Sequence, residues 1–218
     1  AKVLLKFPDS TNATDSVAAI YIDKALSLDS TDKGKVDLLK SVATQYESKK
    51  KYKQAANYYN KIVMLKKEPT KTDLYYAGFN YFRSGDYPAA ISVFNIYSQK
   101  FPADVFSYYM LGRSNWAIDT TLEQGLANPH FQKAIEVGIV DSVKNKPQLI
   151  GSYKYFVVYS VFTKDKTAAM SYVDKILSLD PNDAETLKNK EIIPGLNFGA
   201  PAQKPKTKPG AGAKPEKR

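Results

Sequence analysis

One phrase recurs along this chain and constrains its fold more than any other feature. It reads Tyr52-Lys53-Gln54-Ala55-Ala56-Asn57-Tyr58-Tyr59, then Tyr87-Pro88-Ala89-Ala90-Ile91-Ser92-Val93-Phe94, then Gly125-Leu126-Ala127-Asn128-Pro129-His130-Phe131. The spacing is near 34 to 37 residues, and a further copy reads Thr167-Ala168-Ala169-Met170-Ser171-Tyr172-Val173. A small residue followed four positions later by a large one, at that period, marks stacked helical hairpins. The reason is steric. Two helices cross closely only where a small side chain faces a large one. Gly78 and Gly112 allow the approach on one helix, and Ala55, Ala90, Ala127 and Ala169 allow it on the other. Tyr59, Phe94 and Phe131 are then expected to fill the gap to the following hairpin. Each hairpin buries its apolar face only against a neighbour, so function should lie in the surface that the stack presents.

Helical spacing divides the chain as follows. Residues 1–13 form an N-terminal extension and 14–192 a helical repeat domain. Within that domain lie a partial repeat, 14–30, then hairpins at about 36–69, 71–104, 105–141 and 147–182, then a capping helix, 183–191. Ser84-Gly85-Asp86 is a turn in which Gly85 is free to take positive φ. The turn from Asp119 to Leu126 is swollen. Residues 193–218 are a tail of Pro, Lys, Gly and Ala that cannot bury enough apolar surface to offset its ordering entropy, so it is expected to be disordered or extended.

Charge and composition exclude several classes. The formal net charge is +10, and half of it falls on residues 201–218, where six basic residues face one acidic residue. The absence of cysteine removes disulfide and zinc–thiolate chemistry. The opening Lys2-Val3-Leu4-Leu5-Lys6 lacks a signal-peptide core, so the chain is expected to be a fragment or a form whose leader has been removed. No apolar run is long enough to span a bilayer. His130 is the only histidine and reads as a packing or capping residue. With no metal set, phosphate loop or nucleophile motif, neither an enzyme nor a cofactor is expected.

Leu74, Ala77, Gly78, Tyr81, Ala90, Phe94 and Pro102 resemble the tetratricopeptide repeat signature, with the usual first-helix Trp replaced by Leu74 and the late Ala by Tyr97. The resemblance covers about residues 14–182. It implies an all-α, right-handed superhelix of antiparallel helix hairpins whose concave face binds peptides or partner proteins. A narrower resemblance, to tetratricopeptide proteins of Bacteroidetes, rests on Gly112-Arg113-Ser114-Asn115-Trp116-Ala117-Ile118-Asp119 followed by Gly125 to Phe131. It implies export to the periplasm or cell envelope and membership of a membrane-associated complex, with the cytoplasm as the alternative location. The triplets at Asp15, Asp29, Asp119 and Asp141 resemble the O-glycosylation signal of that phylum.

The same resemblance assigns the groove. Tyr75, Phe79, Phe82 and Arg83 come from the second of the four hairpins, together with Thr72. Tyr109, Arg113 and Trp116 come from the third, with Phe106 and Ala117. Lys154 and Val158 come from the last, with Phe162. Rings and Arg combine large buried area with directional contact, as binding hot spots require. The first of the four hairpins offers Asp37, Lys40, Thr44, Glu47 and Ser48 instead. Lys40 matches a chaperone-type carboxylate clamp, but Thr44 stands where that clamp has Asn, and the following repeats offer Tyr76 and Met110. The expected partner is therefore an apolar or aromatic segment of a protein or peptide, with no small-molecule substrate. The alternative is a nucleic acid or another anionic polymer held by the basic tail, which lacks aromatics to stack on bases.

Overall fold

The computed structural model describes residues 12–197, with side chains from residue 19 onward. Of the sequence-expected extension 1–13, residues 1–11 lie outside the described residues and 12–13 open the first helix; the tail from residue 198 also lies outside them. All regular structure within them is helical: α1 (Asn12–Leu28), α2 (Asp32–Ser48), α3 (Tyr52–Leu65), α4 (Lys71–Arg83), α5 (Tyr87–Lys100), α6 (Val105–Ile118), α7 (Asn128–Gly138), α8 (Lys146–Phe162), α9 (Lys166–Leu179) and α10 (Ala184–Ile192). The chain divides into two compact units, 1–155 and 156–218, with the boundary inside α8.

In the first unit each helix from α2 to α7 packs on the next in sequence. Side-chain caps fix most of the helix starts. Thr31 accepts from the Gly34 N–H at the start of α2, Asp86 from the Ala89 N–H at α5, and Asp104 from the Phe106 N–H at α6. Thr70 and Asp73 form a reciprocal capping box at α4. The Thr31 cap also explains a difference in boundary. Periodicity places the start of the first hairpin near 36, whereas α2 begins at Asp32, because Asp32-Lys33-Gly34-Lys35 contains no apolar residue through which a period could show.

The small-to-large rule holds at the packed crossings. A Cβ on Gly78 would lie 2.8 Å from the Phe94 ring, and one on Gly112 would lie 2.7 Å from Phe131. Phe94 and Phe131 are buried, and each reaches onward: Phe94 meets Phe106 edge-on at 6.0 Å, and Phe131 stacks on Tyr155 at 4.5 Å. Tyr59 likewise stacks on Tyr76 at 5.0 Å. Gly85 takes φ 79° in the α4–α5 turn, as expected. Lys50 and Lys164 occupy the same left-handed region in their own turns without the freedom of glycine. The swollen turn is organised by Asp119, whose buried carboxylate accepts from the Gln124 and Leu126 N–H groups at 3.4 and 3.2 Å.

In the second unit, Ala169, Val173 and Ile176 of α9 are buried, and α10 packs on α9. Asp165 and Asp183 cap the two helices. The tail was expected from residue 193. Ile193–Gly195 instead form a 3-10 turn against α9 and α10, with Ile193 buried. A single aliphatic residue next to Pro-Gly is too small a signal for composition to separate from a tail.

Candidate functional site

The first-helix side chains of the first unit form a row of rings and guanidiniums. Its first stretch begins at Tyr52 on α3. The Arg83 guanidinium, from the last turn of α4, lies 3.8 Å from the Tyr52 ring centroid and donates to the Tyr52 hydroxyl at 2.5 Å. It also lies 5.8 Å from the Phe79 ring centroid. Phe79 stacks on Tyr75 at 5.4 Å, one helical turn earlier, and Tyr75 meets Phe106 of α6 at 5.1 Å. The second stretch is Phe82, Arg113 and Tyr109. The Arg113 guanidinium sits 4.6 Å from the Phe82 centroid and 5.8 Å from Tyr109. Cation–π contacts of this kind contribute about 0.5–2 kcal/mol each, depending on desolvation.

Electrostatics separate the two arginines. Arg83 has a carboxylate, Glu47 of α2, at 3.7 Å. Glu47 also accepts from the Tyr59 hydroxyl at 3.0 Å and the Asn80 amide at 3.4 Å. Burial leads the causes that push the Tyr59 phenol up to about 12, so it stays a neutral donor. Asn80 is fully buried and its Oδ1 has no partner, while its amide nitrogen also donates to the Tyr76 carbonyl. Arg113 has no carboxylate within ion-pair distance among the described residues; its guanidinium is held by rings alone.

The structure brings together Tyr75, Phe79, Phe82, Arg83, Tyr109 and Arg113. Apart from Arg83 they are half-buried, so part of each expected contact surface is spent on neighbouring rings. Trp116 is half-buried too, with its ring edge-on to buried Phe131 at 6.4 Å and buried Tyr155 at 5.2 Å. It serves packing as well as any partner. Lys154 is half-buried in the first unit. Val158 and Phe162 belong to the second unit and are 44% and 46% exposed. The chaperone-type clamp has no counterpart: the Thr44 hydroxyl donates to the Lys40 carbonyl and lies 3.3 Å from Tyr59, Tyr76 is stacked, and Met110 is buried.

Two contributors were missed in the sequence. Tyr52 reads as a core residue of a second helix, yet it carries the Arg83 guanidinium. Gly151 sets the position of Tyr109, since a Cβ there would lie 2.5 Å from the Tyr109 hydroxyl. The spacing of 34 between Gly78 and Gly112 could not reveal Gly151, because the swollen turn displaces the next repeat. His130 lies in the first turn of α7, where burial lowers its pKa and favours the neutral ring. Among the described residues no three His, Cys, Asp or Glu side chains gather to hold a metal, and no helix is long and apolar enough to cross a membrane.

No family model and no curated protein sequence matches the chain. Among solved structures it is similar to the C-terminal part of a TPR repeat-containing protein from Cytophaga hutchinsonii. The identity is 26% and the TM-score 0.66, over 81% of this chain and 67% of that one. It is also similar to a thermophilic TPR protein from Thermus thermophilus, at 13% identity and a TM-score of 0.39, over 74% of this chain and 100% of that one. The hairpins, their glycine–ring crossings and the likeness to the Cytophaga structure together give this chain a tetratricopeptide-repeat fold.

Proposed function

We propose that this chain is a protein–protein interaction module that holds a peptide segment of its partner on the ring-and-guanidinium row of α4 and α6, with an acidic group of that segment on Arg113. The tetratricopeptide-repeat fold supports protein binding in general. The observation that carries the finer reading is Arg113 itself: a half-buried guanidinium over Phe82 and Tyr109 with no carboxylate within ion-pair distance among the described residues. A fork of N–H donors already oriented by rings loses little entropy when a carboxylate docks. The surrounding rings supply the apolar area that makes such a contact a hot spot. The reading involves equilibrium binding and no chemistry. We place the module in the envelope of a Bacteroidetes-like bacterium on the sequence resemblance alone; the 26% identity with the Cytophaga protein bears on the phylum and not on the compartment.

Selection of a displayed peptide library against the chain tests this reading. Enriched peptides are expected to pair an Asp, a Glu or a free C-terminus with apolar neighbours. Arg113→Ala should weaken the selected peptide by more than ~1 kcal/mol, and the loss of its two ring contacts should lower the melting temperature by a few degrees without unfolding the protein at the assay temperature. Unaltered affinity in Arg113→Ala would remove the row as the binding surface. Trp116 is the sole tryptophan, so its fluorescence reports both binding and folding.

A further inference from the structure

The connection between α7 and α8 differs from the other connections between hairpins. Asp29-Ser30-Thr31 is polar and caps α2. The α3–α4 connection uses Lys66 and Thr70 on Asp73, and the α5–α6 connection turns Phe101 toward the core and pairs Asp104 with Lys71. Residues 139–145 instead display Ile139, Val140 and Val143 at 57%, 87% and 87% exposure. These side chains stand on a hydrogen-bonded scaffold. The Lys144 N–H donates to the Asp141 carboxylate at 3.1 Å, the Asn145 N–H to the Asp141 carbonyl at 3.0 Å, and the Asn145 amide to the Gly138 carbonyl at 3.3 Å. Leu149, one turn into α8, is buried and packs against Gly138 at the end of α7.

We propose that this loop inserts Ile139, Val140 and Val143 into the headgroup region of an anionic phospholipid surface, independently of the ring row. Size argues for lipid over protein. Three aliphatic tips fall far short of the roughly 800 Å² per partner that a stable protein interface or a dimer of this chain needs. They match the shallow apolar contact of a peripheral anchor. Charge argues the same way. Lys144 and Lys146 follow the tips, and against Asp141 they leave the loop with a small positive balance, the Asp141 carboxylate also accepting from the Lys144 N–H. The sequence adds a second cationic signal in residues 201–218, six basic residues against one acidic. A polybasic segment needs no fixed geometry to add attraction to an anionic leaflet. Attachment by one small apolar contact plus charge is weak and reversible, no stronger than the ~10⁴ M⁻¹ of a single acyl chain.

Because the chain has no cysteine, Val140→Cys in the full chain takes a single environment-sensitive fluorophore. The probes are vesicles of phosphatidylcholine alone and vesicles of phosphatidylcholine with phosphatidylglycerol. The expected result is co-sedimentation with the anionic vesicles only, reduced by salt, and a blue shift of the label on those vesicles. A label at Lys53→Cys should stay in water. The double variant Val140→Asp, Val143→Asp should bind at least about ten-fold more weakly with an unchanged melting temperature, since both side chains are exposed. Any one of four results overturns the proposal: no vesicle binding, full binding by the double Asp variant, binding with the label still in water (attachment by the tail alone), or a lipid-free blue shift with dimers in sedimentation equilibrium. None of these depends on the fate of Arg113→Ala in the peptide experiment.

Discussion

Arg83 and Arg113 invite comparison because local geometry treats them alike and electrostatics do not. Each guanidinium lies against two rings, Tyr52 and Phe79 for one, Phe82 and Tyr109 for the other. Ring stacking therefore determines where a cation sits in this row. What the cation then does depends on whether a carboxylate from a neighbouring hairpin reaches it. Glu47 reaches Arg83 and at the same time accepts from Tyr59 and Asn80, so one carboxylate ties α2, α3 and α4 together. That end of the row is structure. At Arg113 no carboxylate of the described residues comes within ion-pair distance, which is the ground for proposing that a partner supplies one. The two ends differ by one acidic side chain and by the Tyr52 hydroxyl that accepts from Arg83.

The strongest way to break the comparison is to remove the crossing beneath each arginine. Leu at Gly112 would drive its Cβ to 2.7 Å from buried Phe131, and Leu at Gly78 would bring it to 2.8 Å from buried Phe94. Neither ring has room to retreat, so each variant should lose about 3 kcal/mol or more in urea unfolding. Gly112→Leu should abolish peptide binding at Arg113. Adding Phe131→Leu should restore part of the stability, which separates overpacking from a general effect of the substitution. Recovery of nothing would place the cause elsewhere than the crossing.

A smaller change sharpens the contrast. Tyr59 and Asn80 donate to different oxygens of Glu47, so Glu47→Gln keeps an acceptor for only one of them and leaves Arg83 without its anion. The ion pair is 3.7 Å long and Arg83 is 37% exposed, so its loss should cost only about 0.5–1 kcal/mol, and the lost acceptor should add about 1 kcal/mol, read by thermal melting. The informative result is the gain. Arg83 should then behave as Arg113 does, and a peptide with a second acidic residue should bind Glu47→Gln more tightly than the unaltered chain. If the variant shows no preference for the doubly acidic peptide, ring-held arginine alone does not make a carboxylate site here.

Much of the fold was legible in the sequence because its physics is local. Gly78 and Gly112 with Phe94 and Phe131 repeat at fixed spacing, and the turn residues Ser84-Gly85-Asp86 name their own geometry. The row was legible as a set of residues, since Tyr75, Phe79, Phe82, Tyr109 and Arg113 follow from helical position once the repeat is recognised. Their pairing was not legible. Whether a ring faces a partner or another ring depends on contacts between helices that are distant in sequence, such as Tyr75 on Phe106 or Trp116 on Tyr155. Glu47 appeared as a polar groove position, and nothing in its neighbourhood along the chain shows that Arg83, 36 positions later, claims it. Ile193 escaped for the opposite reason: one buried aliphatic carries no period.

Mild acid should weaken the two ends of the row in sequence, with the smallest effect of these tests. The Arg83 end rests on α4, whose first turn contains Asp73. Burial alone would raise the Asp73 carboxyl, but Lys66 at 2.7 Å and the Thr70 N–H and hydroxyl outweigh it and hold its pKa below the ordinary value of 3.8. A depressed carboxyl contributes stability above its unfolded pKa, and that contribution is lost only as pH falls through the folded value. The Arg113 end is backed by α7, where burial lowers His130 below 6.5. A neutral half-buried imidazole likewise stabilises the fold above 6.5, and the unfolded chain takes up the proton first as pH falls. Between neutrality and the carboxylate range, the α6–α7 hairpin should therefore lose protection while α4 keeps it, as read by amide exchange at the two sites. His130 is the only imidazole, so a single proton resonance follows its titration. Substituting His130→Gln should flatten the mild-acid limb of stability and leave the limb below pH 3.8 in place. A titration midpoint at or above 6.5 would show that the imidazole is not held neutral by burial, and the order of loss would then have no basis.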